Sequence, residues 1–191
     1  MPELEIDPAT TALVVIDLQN AIVARPVAPH TATDVVQRSA TLASALRDRG
    51  GTVIYLRVPI GETLSPIADK PRPKPTTPLP PEASEIVAGA GFQPADVLIT
   101  KRQWGAFYGT DLDLQLRRRS IRTLIMTGIA TNFGVESTAR DAQERGYQLI
   151  FVEDAMSSLV ADLHRFPIEN IFPVMGRVRS AEEILVALKT R

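Results

Sequence analysis

The sequence predicts an α/β fold: an open, mostly parallel six-stranded sheet with helices on both faces, in three layers. Two observations point there. Short apolar, β-rich runs alternate with helical patterns along almost the whole chain, the signature of βαβ units. A Gly/Thr/Asn cluster after the fourth run opens an amphipathic helix, a corner that in open α/β sheets lies at the carboxyl edge, where ligands bind. A length of 191 residues fits one domain, 1–191.

The first strand is expected over Thr11 to Asp17. A helix from Asp34 to Arg49 follows, with Thr33 as N-cap and Gly50 as its stop. Thr52 to Val58 forms the second strand. Between Pro59 and Pro81 the chain carries eight of its 15 prolines, too many for a helix or a central strand, so this segment is a long loop. Such a loop is a lid, a binding loop or a subunit contact, or else a surface excursion of polyproline character without a role. Leu64, Ile67 and Leu79 give it apolar points of contact.

Val97 to Thr100 is the third strand, ending at Lys101. After a Trp104 to Gly109 loop, Thr110 caps a helix over Asp111 to Arg119. Thr123 to Thr127 forms the fourth strand, and the turn from Gly128 opens a helix that stops at Arg145 and Gly146. A fifth strand covers Gln148 to Glu153, and a helix Asp162 to Ile171. The chain closes with a short strand, Gly176 to Val178, and a last helix opened by a capping box of Ser180 and Glu183.

Composition narrows the function. Hydrophobic residues make up 45% and charged residues 23%, ordinary for a globular protein. A formal net charge of −1 gives no footprint for nucleic acid or an anionic membrane. The Arg117, Arg118, Arg119 run reads as a solvated helix end. No secretory signal or membrane-spanning run is visible, and a chain without cysteine forms no disulfides, so cytoplasmic residence is expected.

Asp17 and Lys101 end two strands and Gly134 sits in the turn after another, so all three are expected along one sheet edge. A charged group ending an apolar strand is costly unless partnered. A lysine beside a carboxylate favours its ionised form and burial favours the neutral acid, so such a pair can be poised for proton transfer. Alternatively, Asp17 caps nearby backbone N–H groups. Backbone N–H groups at the start of the following helix would favour an anion or oxyanion. Trp104, Phe107 and Tyr108 line an apolar substrate pocket or pack a subunit interface. Thr131 reads as a helix cap and Ser137 as pointing away from Gly134. His30 and His164 lack ligand spacing, and no metal or cofactor is expected.

Four ordered blocks carry a family resemblance: Ala12 to Asn20 with Asp17, Gln19 and Asn20; Ile99 to Leu112 with Lys101, Ala106, Phe107, Gly109 and Thr110; Gly128 to Asp141; and Gly146 to Ala155 with Asp154. Together they resemble the isochorismatase-like hydrolases over nearly the whole chain. The resemblance implies Asp17 and Lys101 as the catalytic pair and Gly134 where many members carry a nucleophilic cysteine. It implies substrate or oxyanion contacts from Ala130, Gly134, Gln19 and Val58, and a cis Ile129–Ala130 peptide. It further implies a small-molecule substrate and a homo-oligomer, dimer or tetramer. Members that hydrolyse isochorismate also have glycine at this turn, but place a glutamine where this chain has Val58. Zinc-binding amidases of the family use an Asp-x-His and a second His after strand two, where this chain offers Arg57, Val58, Pro59 and Ile60. The implied activity is enol-ether hydrolysis without a covalent intermediate; a silent ligand-binding or assembly protein and a water-mediated amidase are the alternatives.

Overall fold

A computed structural model describes residues 4–63, 66–70 and 76–189. Leu64, and residues 71–75 of the proline-rich segment, lie outside the described residues.

Apolar β-branched runs form the strands, in the order expected. They are β1 (Thr11–Ile16), β2 (Thr52–Arg57), β3 (Val97–Thr100), β4 (Thr123–Ile129), β5 (Gln148–Ser157) and β6 (Arg177–Arg179). Every pairing is parallel, and the sheet order is β3-β2-β1-β4-β5-β6. Strand order reverses between β1 and β4, the switch point beside which open α/β sheets bind ligands at their carboxyl edge.

Seven α-helices connect and cover the strands: α1 (Asn20–Val23), α2 (Ala32–Arg47), α3 (Leu112–Arg118), α4 (Glu136–Glu144), α5 (Ala161–Phe166), α6 (Phe172–Met175) and α7 (Ala181–Lys189) among the described residues. Alternate residues of β1 feed opposite faces of the sheet. Ala12, Val14 and Ile16 join Leu112 and Leu116 of α3, Ala139 of α4 and Phe172 in one core. Leu13 and Val15 join Val35 and Leu42 of α2 and Ile184 of α7 in the other. All six residues of β1 are buried, as expected for a parallel strand covered on both sides.

Boundaries depart from the sequence reading for local reasons. The cap of α2 is Thr31, whose hydroxyl accepts from the Asp34 N–H at 3.1 Å, rather than Thr33. Both threonines suit a cap, but only Thr31 has an acidic residue three positions on. β5 runs on past Glu153, where the sequence reading ends it, to Ser157; the polar Asp154 reads locally as the start of a loop. The helix expected to end at Ile171 begins as α5, widens into a π-helical turn at Pro167–Ile171 and continues as α6. Pro167 has no N–H for the α-helical ladder. The Ser180/Glu183 capping box is present: the Glu183 N–H donates to Ser180 Oγ at 3.2 Å and the Ser180 N–H to Glu183 Oε2 at 2.8 Å.

Gly128 shows why the edge beside the site tolerates no side chain. Its φ is +119°, and a Cβ there would stand 2.1 Å from the Ile16 carbonyl oxygen on β1. The β4–β5 register also shifts between Met126 and Gly128, with the extra residues on β5, so it is β5 that bulges beside the end of β4.

Candidate active site

Asp17 follows β1 with φ +54°, and its N–H donates to the Leu56 carbonyl at 3.0 Å. Lys101 follows β3, its N–H donating to the Arg57 carbonyl at 2.9 Å. These backbone bonds, both to the end of β2, set the two side chains facing each other. Lys101 Nζ donates to Asp17 Oδ2 at 2.7 Å and to the Gln103 carbonyl at 3.2 Å. The residues are only 6% and 2% exposed, so this ion pair is held out of water.

Burial pushes the Asp17 carboxyl up from the ordinary carboxylate value, and the charge and hydrogen bond of Lys101 oppose that. Asp17 Oδ1 is buried without a hydrogen-bond partner, so it is not capping backbone N–H groups. A buried carboxylate oxygen left free is a group with capacity for a ligand or a proton.

The third member of the expected site comes from β4. The Ile129–Ala130 peptide is cis, and Thr131–Val135 then forms a π-helical turn before α4. Such wide turns recur at functional positions because they displace backbone from the regular ladder. A Cβ on Gly134 would stand 3.2 Å from Asp17 Oδ2, 3.7 Å from Lys101 Nζ and 3.1 Å from Ile16 Cγ2. The vector of residue 134 therefore points at the ion pair, and Gly134 lies outside the left-handed region.

Other expected contributors separate. Gln19 is fully buried, and both ends of its amide are taken: Nε2 donates to the Val58 carbonyl and Oε1 accepts from the Val58 N–H, each at 2.8 Å. Gln19 and Val58 thus clamp the chain after β1 to the chain after β2 instead of offering polar groups to a ligand. Phe107 is core, under Arg145 at 4.7 Å from the ring and beside Tyr147, so it lines neither a pocket nor an interface. Its neighbours diverge from it. Trp104 packs over Phe133 of the turn with centroids 4.9 Å apart, and Tyr108 points to solvent at 76% exposure.

Thr131 is not the helix cap its sequence position suggests. Its hydroxyl meets His164 Nδ1 at 2.8 Å. Ser137 sits beside Gly105, its Cβ 3.8 Å from where a Cβ on Gly105 would stand. Asp154 Oδ1 accepts from the Ala181 N–H at 2.7 Å and so anchors the start of α7. Arg140 pairs with Glu136 and Asp141 with Arg145, both local ion pairs on α4.

The two histidines also correct the sequence reading. Far apart in the chain, they meet at Glu153: His30 Nε2 lies 3.0 Å and His164 Nε2 3.9 Å from Glu153 Oε1. Sequence spacing could not reveal this, because the three residues come from a loop, β5 and α5.

With this geometry in view, comparison with known proteins settles the family. The isochorismatase domain profile matches residues 11–183. This chain belongs to the isochorismatase-like hydrolase family. It is 48% identical to the isochorismatase family protein YecD of Escherichia coli O157:H7, over 97% of this chain and all of that one. It is 33% identical to the ureidoacrylate amidohydrolase RutB of Methylobacterium radiotolerans, covering 92% and 78% of the two chains. A solved isochorismatase family protein from Burkholderia thailandensis superposes with a TM-score of 0.91 at 47% identity, covering 97% of this chain and 98% of that one. The six-stranded parallel sheet flanked by helices is the fold shared with that structure. No helix among the described residues is long and apolar enough to cross a membrane.

Proposed function

We propose that this chain hydrolyses a small molecule through Asp17 and Lys101 without a covalent intermediate, and that its substrate class is an enol ether. The observation that carries the reading is the buried Asp17–Lys101 pair with residue 134 aimed at it and no thiol anywhere in the chain. Cysteine hydrolases of this family place their nucleophile at this turn. Gly134 leaves that volume to substrate.

Asp17, its carboxyl raised by burial, donates a proton to the vinyl carbon. Water adds to the oxocarbenium carbon so formed and gives its proton back to the Asp17 carboxylate, the resulting hemiketal releases an alcohol, and a ketone remains. Lys101 holds the Asp17 carboxylate in place and stabilises it once the proton has left. The oxocarbenium stage of this route develops no oxyanion, so the Ala130 and Gly134 N–H groups are assigned to an anionic substituent of the substrate, and Trp104 packs over Phe133 beside the turn.

The 33% identity to an amidohydrolase favours a second reading, in which Asp17 acts as base and water attacks an amide carbonyl. Incubation with enol-ether and amide panels in H₂¹⁸O, followed by mass spectrometry, separates them. Label in a ketone product supports the first reading and label in a carboxylic acid the second. Turnover of neither panel assigns the chain to ligand binding or assembly without catalysis.

The protein is also proposed to be a homo-oligomer. Ile67 and Leu79 of the proline-rich segment are exposed, and so are Leu159, Val160, Phe166 and Val174 around α5 and α6. Light scattering at micromolar concentration is expected to give a multiple of 20.8 kDa. A monomer alone would refute it.

A further inference from the structure

We infer that His30, Glu153 and His164 form a binding site for a divalent cation of zinc type, set against the back of the turn that carries Gly134. The ligand atoms of these residues all lie within 4.8 Å of one another, the one such group of three among the described residues. Ligands bonded to tetrahedral zinc at about 2.0–2.1 Å stand roughly 3.3 Å apart. His30 Nε2 and His164 Nε2, at 3.0 and 3.9 Å from Glu153 Oε1, bracket that spacing.

An ordinary hydrogen-bonded histidine pair accounts for only part of this cluster. His30 and Glu153 satisfy each other, but His164, 3% exposed, leaves Nε2 buried with no partner. That nitrogen is aimed at the same carboxylate oxygen and at a second imidazole, edge-on with centroids 5.6 Å apart. Its other nitrogen meets Thr131 Oγ1 at 2.8 Å. In the tautomer whose Nδ1–H donates to the threonine, the lone pair sits on Nε2, the arrangement by which an outer partner prepares a histidine to ligate a metal.

The surroundings fit an ion that enters from solvent and stays. The loop bearing His30 is pinned to β5 by the Ala28–Ser158 bridge and by Ser157 Oγ donating to the His30 carbonyl at 2.8 Å. The Glu153 and His30 side chains are 37% and 24% exposed, which leaves one side open. Two imidazoles and one carboxylate suit zinc, cobalt(II) or nickel(II), and leave a fourth position for water. The ion would join a loop, β5 and α5, and through His164 would hold Thr131, the first residue of the π-helical turn.

Untagged protein, treated with a chelator and desalted, is titrated with Zn²⁺ in competition with a chromogenic chelator, and separately with Co²⁺. One equivalent of Zn²⁺ per chain is expected, with visible Co²⁺ absorption of tetrahedral intensity and a melting temperature that rises with Zn²⁺. The chain contains only these two histidines, so background from other imidazoles is nil. His30→Ala and Glu153→Gln alter partly exposed side chains and should fold. Each should weaken Zn²⁺ binding by more than the roughly 10–100-fold that loss of an outer partner costs, and Thr131→Val should fall within that range. Wild-type protein that leaves Zn²⁺ on the chelator overturns the inference. So does binding that survives both His30→Ala and Glu153→Gln.

Discussion

An ammonium and a carboxylate shut away from water are each other's principal solvent, so removing either is felt by both chemistry and folding. Asp17→Asn and Lys101→Ala are each expected to lower turnover by at least about 100-fold, because each removes one member of the proposed proton-transfer pair. Far-UV circular dichroism should show both folded. Asparagine keeps an acceptor oxygen for Lys101 Nζ, so urea melts should register a loss of about 1–3 kcal/mol. In Lys101→Ala the carboxyl loses the charge that offset its burial, and its only escape is to bind a proton. A carboxyl raised in the folded state stabilises at low pH and loses that contribution as pH rises. The deficit of Lys101→Ala relative to wild type should therefore be largest near neutrality and narrow as the solution is acidified. A deficit that widens on acidification would refute this account. Gly134→Cys tests the third corner. The contact with Ile16 Cγ2 makes it tight, at about 1–2 kcal/mol of stability. Its thiol, the only one in the chain, should titrate below the usual value of about 8.5 when thiolate absorbance is followed across pH, because Lys101 Nζ stands beside it. A thiol titrating at the ordinary value would break the link between Gly134 and the pair.

Elements differ in how openly they declare themselves. β1 and β4 are uninterrupted apolar runs ended by Asp17 and by a Gly/Thr/Asn cluster, so their existence, order and outgoing turns could be read locally. β3 has the predicted bounds, Val97–Thr100. What local reading missed is decided by partners distant in sequence. The strand continues past Glu153 because β4 pairs again with Met156 and Ser157 beyond an irregularity, and α7 takes the Asp154 carboxylate. Phe107 and Trp104 share one loop and one residue class, yet Tyr147 draws the first into the core and Phe133 holds the second at the turn. Gln19 matched a family block, but its role depended on where the Val58 backbone would pass. The close β1–β4 approach gives a sharp test at this scale. Gly128→Ala places a methyl group against the Ile16 carbonyl in a backbone conformation that alanine avoids, and should cost more than about 3 kcal/mol or leave the protein insoluble. A soluble variant with a wild-type melting temperature would contradict so close an approach of the two strands.

Across the whole molecule, two tyrosines report on the integrity of opposite faces of the sheet. Tyr55 donates to the Ala90 carbonyl at 2.7 Å and Tyr147 to Asp113 at 2.8 Å; burial, the larger cause for each, pushes both hydroxyls up to about 12 from the ordinary 10.0. The unfolded chain ionises them from about pH 10 upward while the folded one does not, so stability is full below pH 10 and drains away between 10 and 12. Urea melts over that interval should show a fall of several kcal/mol, roughly half of it absent in Tyr55→Phe. Stability unchanged up to pH 12 would mean that neither hydroxyl is held as described. The reversal of strand order between β1 and β4 has a consequence of another kind. Asp17 and Lys101 both lie in the first three-strand half of the chain, and the Gly134 turn lies in the second. Cutting the chain between α3 and β4 would yield two fragments, neither of which owns the whole of the proposed site. Catalysis would return only when they dock along the β1–β4 seam, which makes this enzyme a natural starting point for a split reporter whose output depends on two tethered guests meeting.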